Sequence, residues 1–278
     1  MLRVMNPRTL AIALPLLFAC SIAIAQPAAK GDGVQVSNPS VLRKLIPAER
    51  LEHTATEQYQ QLTAGARRQG ALAPANHPQV MRLRAIAERI IKHAPRFNPD
   101  ATSWKWEVNL IGSKQINAFC MPGGKIAFYT GILETLRLTD DEVAIVMGHE
   151  VAHALREHSR ERLAKNSITR FGTAIVGAVI SGGRYADVIN QAGSLATLKF
   201  SRDNETDADV VGLDLAARAG FDPRAGVTLW RKMTTASKNA PPQFLSTHPT
   251  GPNRIKEIER HLAEVMPLYE RSRGSESR

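Results

Sequence analysis

Hydrophobic positions recur at helical spacing in several parts of the chain. Between Pro78 and His93 the apolar side chains fall three or four positions apart: Val80, Leu83, Ile86 and Ile90. This spacing predicts an amphipathic helix that buries one face. The segment from Val41 to Gly70 is more polar and rich in Gln and Arg, which predicts a helix at the surface.

Alternating apolar positions predict strands in the middle of the chain. One strand is expected within Trp104–Ile111, and Asn117–Tyr129 predicts two strands joined by a turn at Pro122-Gly123-Gly124. After Gly131 the pattern is predominantly helical, without an internal repeat. We therefore predict one domain over residues 41–278 of the α+β class, mostly helical with a small β-sheet.

The first 25 residues resemble an export signal. Two arginines precede the almost wholly apolar run Thr9–Ala25, and Ala23-Ile24-Ala25 offers the small residues of a cleavage site. This pattern predicts a signal peptide over residues 1–25. A flexible leader over residues 26–40 would follow, because that segment is rich in Gly, Ser, Pro and Ala.

Two other interpretations of the N-terminal segment stay open. Leu17-Phe18-Ala19-Cys20 resembles a bacterial lipobox, in which Cys20 would be acylated. A mitochondrial presequence is the third interpretation, since no acidic residue precedes Asp32. The export interpretations lead us to expect a protein of the bacterial periplasm, either soluble or attached to the outer membrane as a lipoprotein.

The composition is that of a globular protein, with 43% hydrophobic and 22% charged residues, but the net charge is +10. The positive residues form no dense run with interleaved aromatics, so we expect no nucleic-acid partner. A solvated basic surface is the simpler interpretation, and peripheral contact with an anionic membrane is compatible with it. Because Cys120 is the only cysteine besides Cys20, the domain has no internal disulfide.

One predicted helix carries a motif with metal-ligand spacing. Thr139 and Glu142 match a capping box at its start, and His149, Glu150 and His153 follow in the order H-E-x-x-H. A spacing of four puts both imidazoles on the same helix face, one turn apart, so they can bind one ion. Two imidazoles suit Zn²⁺, and Glu150 is placed to take a proton from a water molecule at the metal.

A chance match is the alternative to a metal site. In a chain of this length it is roughly a one-in-a-hundred event. The setting favours a metal, because burying two His and one Glu without partners would cost several kcal/mol. A bound cation removes that cost.

The third ligand must come from another part of the chain. Arg156 and Ser159 stand where a metzincin would continue with Gly and a third His, so that subclass is excluded. The best candidate is Glu205, which makes the predicted site gluzincin-like. It lies in a predicted helix over residues 203–219, which Gly220 would end.

Four residues share one face of this second helix: Glu205, Ala208, Asp209 and Gly212. The small Ala208 and Gly212 would let the two helices approach closely, so that the carboxylate reaches the ion. Asp209 would then accept the free N–H of a histidine ligand, with a solvated surface charge as the alternative. Asp207 and Asp214 are expected at the surface.

Three blocks together resemble the HtpX-like and CAAX-prenyl-protease family of zinc metalloendopeptidases: residues 117–125 (NAFCMPGGK), 148–154 (GHEVAHA) and 205–209 (ETDAD). The likeness runs from about Pro78 to Leu262. It implies a zincin-like α+β domain with one Zn²⁺ per chain. By this resemblance His149, His153 and Glu205 bind the ion, and Glu150 is the general base.

Within the family, the sequence is similar to the small exported branch of LoiP-like and BepA-like proteases, without the repeat domain of the latter. That branch implies hydrolysis of misfolded or unassembled proteins of the cell envelope or outer membrane. The alternative hypothesis is a proteolytically latent, chaperone-like envelope protein that binds unfolded clients.

The resemblance adds two further site assignments. Asn117, Ala118 and Phe119 would form a strand edge that pairs with an extended substrate, an ordinary hairpin strand being the alternative. His248, which precedes Pro249, would lie near the active site as a catalytic residue. There it would either stabilise the oxyanion or occupy the open position on zinc, unless it is a surface histidine.

Overall fold

The computed structural model describes residues 32–181, 194–237, 242–249 and 253–276. The predicted signal peptide over residues 1–25, with its lipobox, lies outside the described residues. The chain from Asp32 to Arg278 forms one unit by itself. Among the described helices, none has the length and apolar content needed to cross a bilayer.

Most of the described chain is helical. The α-helices are α1 (Ala48–Arg68), α2 (Pro78–Ile91), α3 (Thr130–Thr135), α4 (Asp140–Leu155), α5 (His158–Ser181), α6 (Arg202–Arg218), α7 (Ala225–Ala236), α8 (Gln243–Thr247) and α9 (Arg254–Glu276). Short 3₁₀ helices cover Val41–Leu45, Ala94–Arg96, Pro99–Thr102 and Leu195–Thr197. The predicted α+β class, mostly helical with a small sheet, is confirmed.

The sheet has three described strands in the order β1-β3-β2: β1 (Glu107–Ile111), β2 (Ala118–Met121) and β3 (Lys125–Tyr129). Strand β1 runs parallel to β3, and β2 runs antiparallel to it. The turn between β2 and β3 uses Gly123 at φ +78° and Gly124 at φ +79°, where a side chain would strain the backbone. The strand-turn-strand prediction for residues 117–129 is therefore confirmed.

The flexible leader predicted over residues 26–40 has its C-terminal boundary too late in the chain. Val34 is buried in the main apolar cluster, and its N–H donates to Asp214 Oδ2 at 3.0 Å. The residue before it is Gly33, at φ +91°, where a Cβ would overlap the same oxygen. Asp214, expected at the surface, is fully buried because it binds this backbone and Arg218.

Helix α4 crosses the centre of the domain. Every residue from Glu142 to Leu155 is buried, since α2, α6, α7 and β2 all pack against the helix. The predicted capping box is present: Glu142 N–H donates to Thr139 Oγ1 at 3.3 Å, and Thr139 N–H donates to Glu142 Oε2 at 2.9 Å. The motif on this helix is thus held in a rigid, water-poor setting.

Helices α4 and α6 touch through their backbones at two glycines. A Cβ added to Gly148 would lie 2.7 Å from the carbonyl oxygen of Gly212, and one added to Gly212 would lie 2.7 Å from His149 N. Ala208, one turn earlier on α6, is fully buried. The predicted close approach of the two helices through small residues is confirmed, and it brings the Glu205 face of α6 against the motif.

We expect Gly212→Ala to lower the free energy of unfolding by about 1–3 kcal/mol, because the added methyl group meets backbone that cannot yield locally. Gly65→Ala is the matched control. It lies inside α1 with nothing nearer than 3.8 Å to the added Cβ, so it should raise the free energy of unfolding by about 0.5–1 kcal/mol. Urea unfolding measures both, and a stable Gly212→Ala protein would contradict the tight helix contact.

Candidate metal centre

Four buried side chains meet between α4, α6 and the residue after α8. They are His149, His153, Glu205 and His248, each at most 3% exposed, and their candidate ligand atoms all lie within 4.8 Å of one another. Glu205 contacts all three rings: Oε2 is 3.5 Å from His149 Nε2, and Oε1 is 3.4 Å from His153 Nε2 and 3.1 Å from His248 Nδ1. The helix pair therefore brings together the three sequence-predicted ligands, and His248 joins them.

The arrangement of donor atoms fits Zn²⁺. His149 Nε2 lies 3.1 Å from His153 Nε2 and 3.2 Å from His248 Nδ1. A ring nitrogen carries at most one proton, so His149 Nε2 cannot donate a hydrogen bond to both of these nitrogens. One cation, in contrast, can bind the lone pairs of all three nitrogens. Imidazole nitrogen and carboxylate oxygen are ordinary zinc ligands. The chain therefore has a site for one zinc ion.

Glu150 lies beside this cluster with one oxygen free. Its Oε1 is 3.5 Å from His248 Nε2, and it has no hydrogen-bond partner among the described residues. Burial raises the pKa of the Glu150 carboxyl, and the neighbouring His248 and His149 oppose that rise. A buried acceptor without a partner is costly, so the position favours a water molecule or a substrate group beside Oε1.

Asp209, the predicted orienting carboxylate, contacts the far side of His149. Its Oδ1 is 2.9 Å from His149 Nδ1, which leaves Nε2 for the cluster. Burial alone would lower the pKa of His149, but the hydrogen bonds to Asp209 and Glu205 raise it to about 9. Burial would raise the pKa of Asp209, but Arg254 and His149 hold it below its ordinary value. Asp209 therefore remains an acceptor for the ring.

Arg254 is a site residue that the sequence analysis missed. This buried first residue of α9 donates from Nη1 to Glu205 Oε2 at 3.0 Å and from Nη2 to Asp209 Oδ1 at 2.7 Å. Its guanidinium lies 3.6 Å from the ring centroid of Trp230. The positive charge offsets the two carboxylates of α6. No local motif marks Arg254, because its partners lie 49 and 45 positions away in the chain.

Strand β2 lies at the edge of the sheet next to α4, and all four of its residues are buried. The sheet order makes β2 an edge strand among the described residues. Tyr129 N–H donates to Asn117 O at 3.1 Å, so Asn117 and, two residues on, Phe119 direct their backbone groups to β3. The backbone groups of Ala118 and Cys120 consequently point away from β3, towards the outer edge of the sheet.

The side chain of Phe119 points away from the metal cluster. It packs in a second apolar cluster with Tyr59 and Tyr129, at 6.4 and 6.3 Å between ring centroids. Ala118 and Cys120, which alternate with it, belong instead to the main cluster that contains α4. Of the three predicted substrate-binding residues, Phe119 therefore contributes no side chain to the site.

Comparison with known proteins finds a family model and several curated relatives. The model described as Peptidase family M48 matches residues 78–262. The mitochondrial metalloendopeptidase OMA1 of Arabidopsis thaliana is 41% identical over 167 residues, which cover 59% of this chain and 33% of that protein. The OMA1 protein of Schizosaccharomyces pombe is 35% identical over 207 residues, which cover 72% of this chain and 58% of its own.

A bacterial relative matches at lower identity. The beta-barrel assembly-enhancing protease of Escherichia coli O157:H7 is 25% identical over 203 residues, which cover 68% of this chain and 40% of the relative. The chain thus spans between 33% and 58% of the length of the three relatives described.

These matches correct the predicted location. The relatives at 41% and 35% identity are mitochondrial metalloendopeptidases, whereas the bacterial relative has 25%. The prediction of a protein of the bacterial periplasm or outer membrane is therefore wrong, and the predicted small exported branch is not confirmed. A basic start and an absence of acidic residues are shared by export signals and mitochondrial presequences, so these two features of residues 1–25 could not separate them.

Proposed function

The chain belongs to peptidase family M48, and we propose that it hydrolyses internal peptide bonds of unfolded or unassembled polypeptides with one zinc ion. The observation that supports this best is the buried cluster of three His and one Glu beside a glutamate oxygen that has no described partner. The test is digestion of reduced, carboxymethylated casein by the zinc-loaded protein, with Glu150→Gln as the inactive control.

In the proposed mechanism, His149, His153 and Glu205 hold the ion. Zinc, when bound, polarises the carbonyl of the scissile bond and lowers the pKa of a water molecule. Glu150 accepts the proton of the attacking water at Oε1 and then passes it to the leaving nitrogen. Asp209 accepts from His149 Nδ1, so that Nε2 keeps its lone pair for the metal.

The position of β2 as an edge strand among the described residues supports an extended peptide as the substrate. A peptide lying beside Ala118 and Cys120 would pair with their outward N–H and C=O groups as an added strand. Such pairing uses the main chain of the substrate, so it selects an unfolded segment rather than one particular sequence. The relatives named as β-barrel assembly-enhancing proteases support proteins that are not yet folded or assembled as substrates.

His248 supports a closed resting state of this enzyme. Its ring is stacked on Phe244 at 4.4 Å between centroids, with Nε2 3.5 Å from Glu150 Oε1. In this position the ring occupies space that water and substrate need beside the base. We therefore propose that His248 restrains the protease at rest. Of the alternative hypothesis, a latent chaperone-like protein, this geometry favours the latency.

We expect His248→Ala to raise the basal rate on unfolded casein, because the ring no longer blocks Glu150. A hydrogen bond from His248 to the oxyanion gives the opposite expectation, a rate about 10²-fold lower. The hydrolysis rate is divided by the amount of bound zinc and compared with that of the control His53→Ala. The side chain of His53 is 74% exposed. An unchanged rate in His248→Ala would contradict both roles.

A further inference from the structure

The ring nitrogen of His153 that faces away from the cluster contacts another histidine rather than a carboxylate. Its Nε2 faces the cluster, 3.4 Å from Glu205 Oε1. Its Nδ1 lies 3.0 Å from Nδ1 of His158, a buried residue at the start of α5. The second ring nitrogen of His153 therefore has a partner outside the cluster, and neither the H-E-x-x-H motif nor the function proposed above assigns that partner a role.

His158 is held in turn by Asp207. Its Nε2 is 3.1 Å from Asp207 Oδ2, and Arg156 Nε donates to the same oxygen at 2.6 Å. Arg156 also donates to the carbonyl oxygen of Ser37, which ties the arrangement to the N-terminal segment. The side chain of Asp207 is only 17% exposed, so the surface position expected from the sequence is wrong. Arg156, directly after α4, and His158, at the start of α5, cover it.

The directions of these hydrogen bonds follow from the chemistry of the groups. The Asp207 carboxylate accepts, so Nε2 of His158 carries the hydrogen that it donates. A neutral imidazole protonated at Nε2 has a lone pair at Nδ1, which makes His158 the acceptor for His153. His153 must then carry its hydrogen on Nδ1, and Nε2 is left with its lone pair directed at the cluster. That is the tautomer that a metal ligand of this orientation requires.

We propose that His158 and Asp207 are positioning residues for His153, forming a relay in which a carboxylate acts on one histidine ligand through a second imidazole. Each α4 histidine then has a carboxylate behind it: Asp209 contacts His149 directly, and Asp207 acts on His153 through His158. The relay rests on the proposed role of His153 as a zinc ligand.

Packing alone does not explain this arrangement. Phe200 stacks on His153 at 4.0 Å between centroids with an interplanar angle of 22°, which restrains the plane of the ring. The stacking contact is the same whichever nitrogen of His153 carries the hydrogen, however, so it does not select the tautomer. The acceptor nitrogen of His158 supplies that selection, and the contributions of shape and hydrogen bonding can be separated by substitution.

The test compares His158→Phe with His158→Asn. Phenylalanine keeps the ring volume without an acceptor, whereas the amide oxygen of asparagine can take the place of Nδ1. We expect His158→Phe to lower zinc affinity by about 10- to 100-fold, the usual effect of losing an outer hydrogen-bond partner. His158→Asn should restore most of that affinity. Competition with a chromophoric zinc chelator measures both.

Aspartates on α6 give a second, matched comparison. Asp207→Ala is expected to lower zinc affinity in the same direction as His158→Phe, because it removes the acceptor that orients His158. Asp203→Ala, at an exposed position on the same helix, should leave the affinity unchanged. This pair carries the test if His158→Phe does not fold, and equal affinities in the two aspartate variants would overturn the relay.

His153→Ala, measured in parallel, separates failure of the relay from failure of the site. If His153→Ala loses zinc while His158→Phe binds as tightly as wild type, the relay is wrong and the site stands. If His153→Ala binds zinc normally, the proposed ligand set is wrong. If His158→Asn loses as much zinc affinity as His158→Phe, and the two zinc-free proteins have the same thermal stability, an acceptor at this position does not restore binding and the relay is overturned.

Discussion

Glu150→Gln is expected to bind zinc as wild type does. Its rate of hydrolysis of unfolded casein is expected to fall by roughly 10³-fold or more. The amide has nearly the shape of the carboxylate, and His149, His153 and Glu205 are untouched, so the metal site persists. The amide cannot accept a proton, however, and Oε1 of Glu150 is the oxygen that has no described partner. Metal analysis and a casein digestion assay on the same sample measure the two properties together.

Glu142→Gln is the control for this substitution. Glu142 lies on the same helix and is also buried, but it caps the helix and pairs with Lys232 at 2.6 Å. Its replacement should lower stability and leave the rate per folded, zinc-loaded molecule unchanged. Turnover near the wild-type rate in zinc-loaded Glu150→Gln would remove Glu150 from the mechanism.

Glu205→Ala is expected to lower zinc affinity by more than about 100-fold, beyond the range seen for residues that only support a ligand. Glu205 is the carboxylate that contacts all three histidines of the cluster. Without it, three imidazoles and the buried Arg254 would surround a divalent cation with less compensating negative charge. Metal content after dialysis against a weak chelator measures the loss.

Asp203→Ala is again the appropriate control, because it removes a carboxylate from an exposed position on α6. The loss in Glu205→Ala should also exceed that in Asp207→Ala, which acts on a ligand only through His158. Equal zinc content in Glu205→Ala and Asp203→Ala would mean that the third ligand is misassigned and that His248 takes its place.

Local spacing in the sequence determined the centre of this site. The four-residue interval between His149 and His153 puts them on one face of any helix, whatever surrounds it. The same argument places Glu205 and Asp209 together on α6, and the turn glycines of residues 117–129 mark the β-hairpin. These features depend on contacts within a few positions of the chain, so a single sequence is enough to predict them.

Only the tertiary structure decided which groups complete the site. His248 and Arg254 reach Glu205 from positions 43 and 49 residues away, and Asp207 reaches the motif through His158 on a different helix. Their positions depend on how α5, α6 and α9 pack, and packing arises from many weak contacts that leave no motif at the residues concerned. The same dependence explains why Val34 and Asp214 are buried although their sequence surroundings predict a mobile leader and a surface charge.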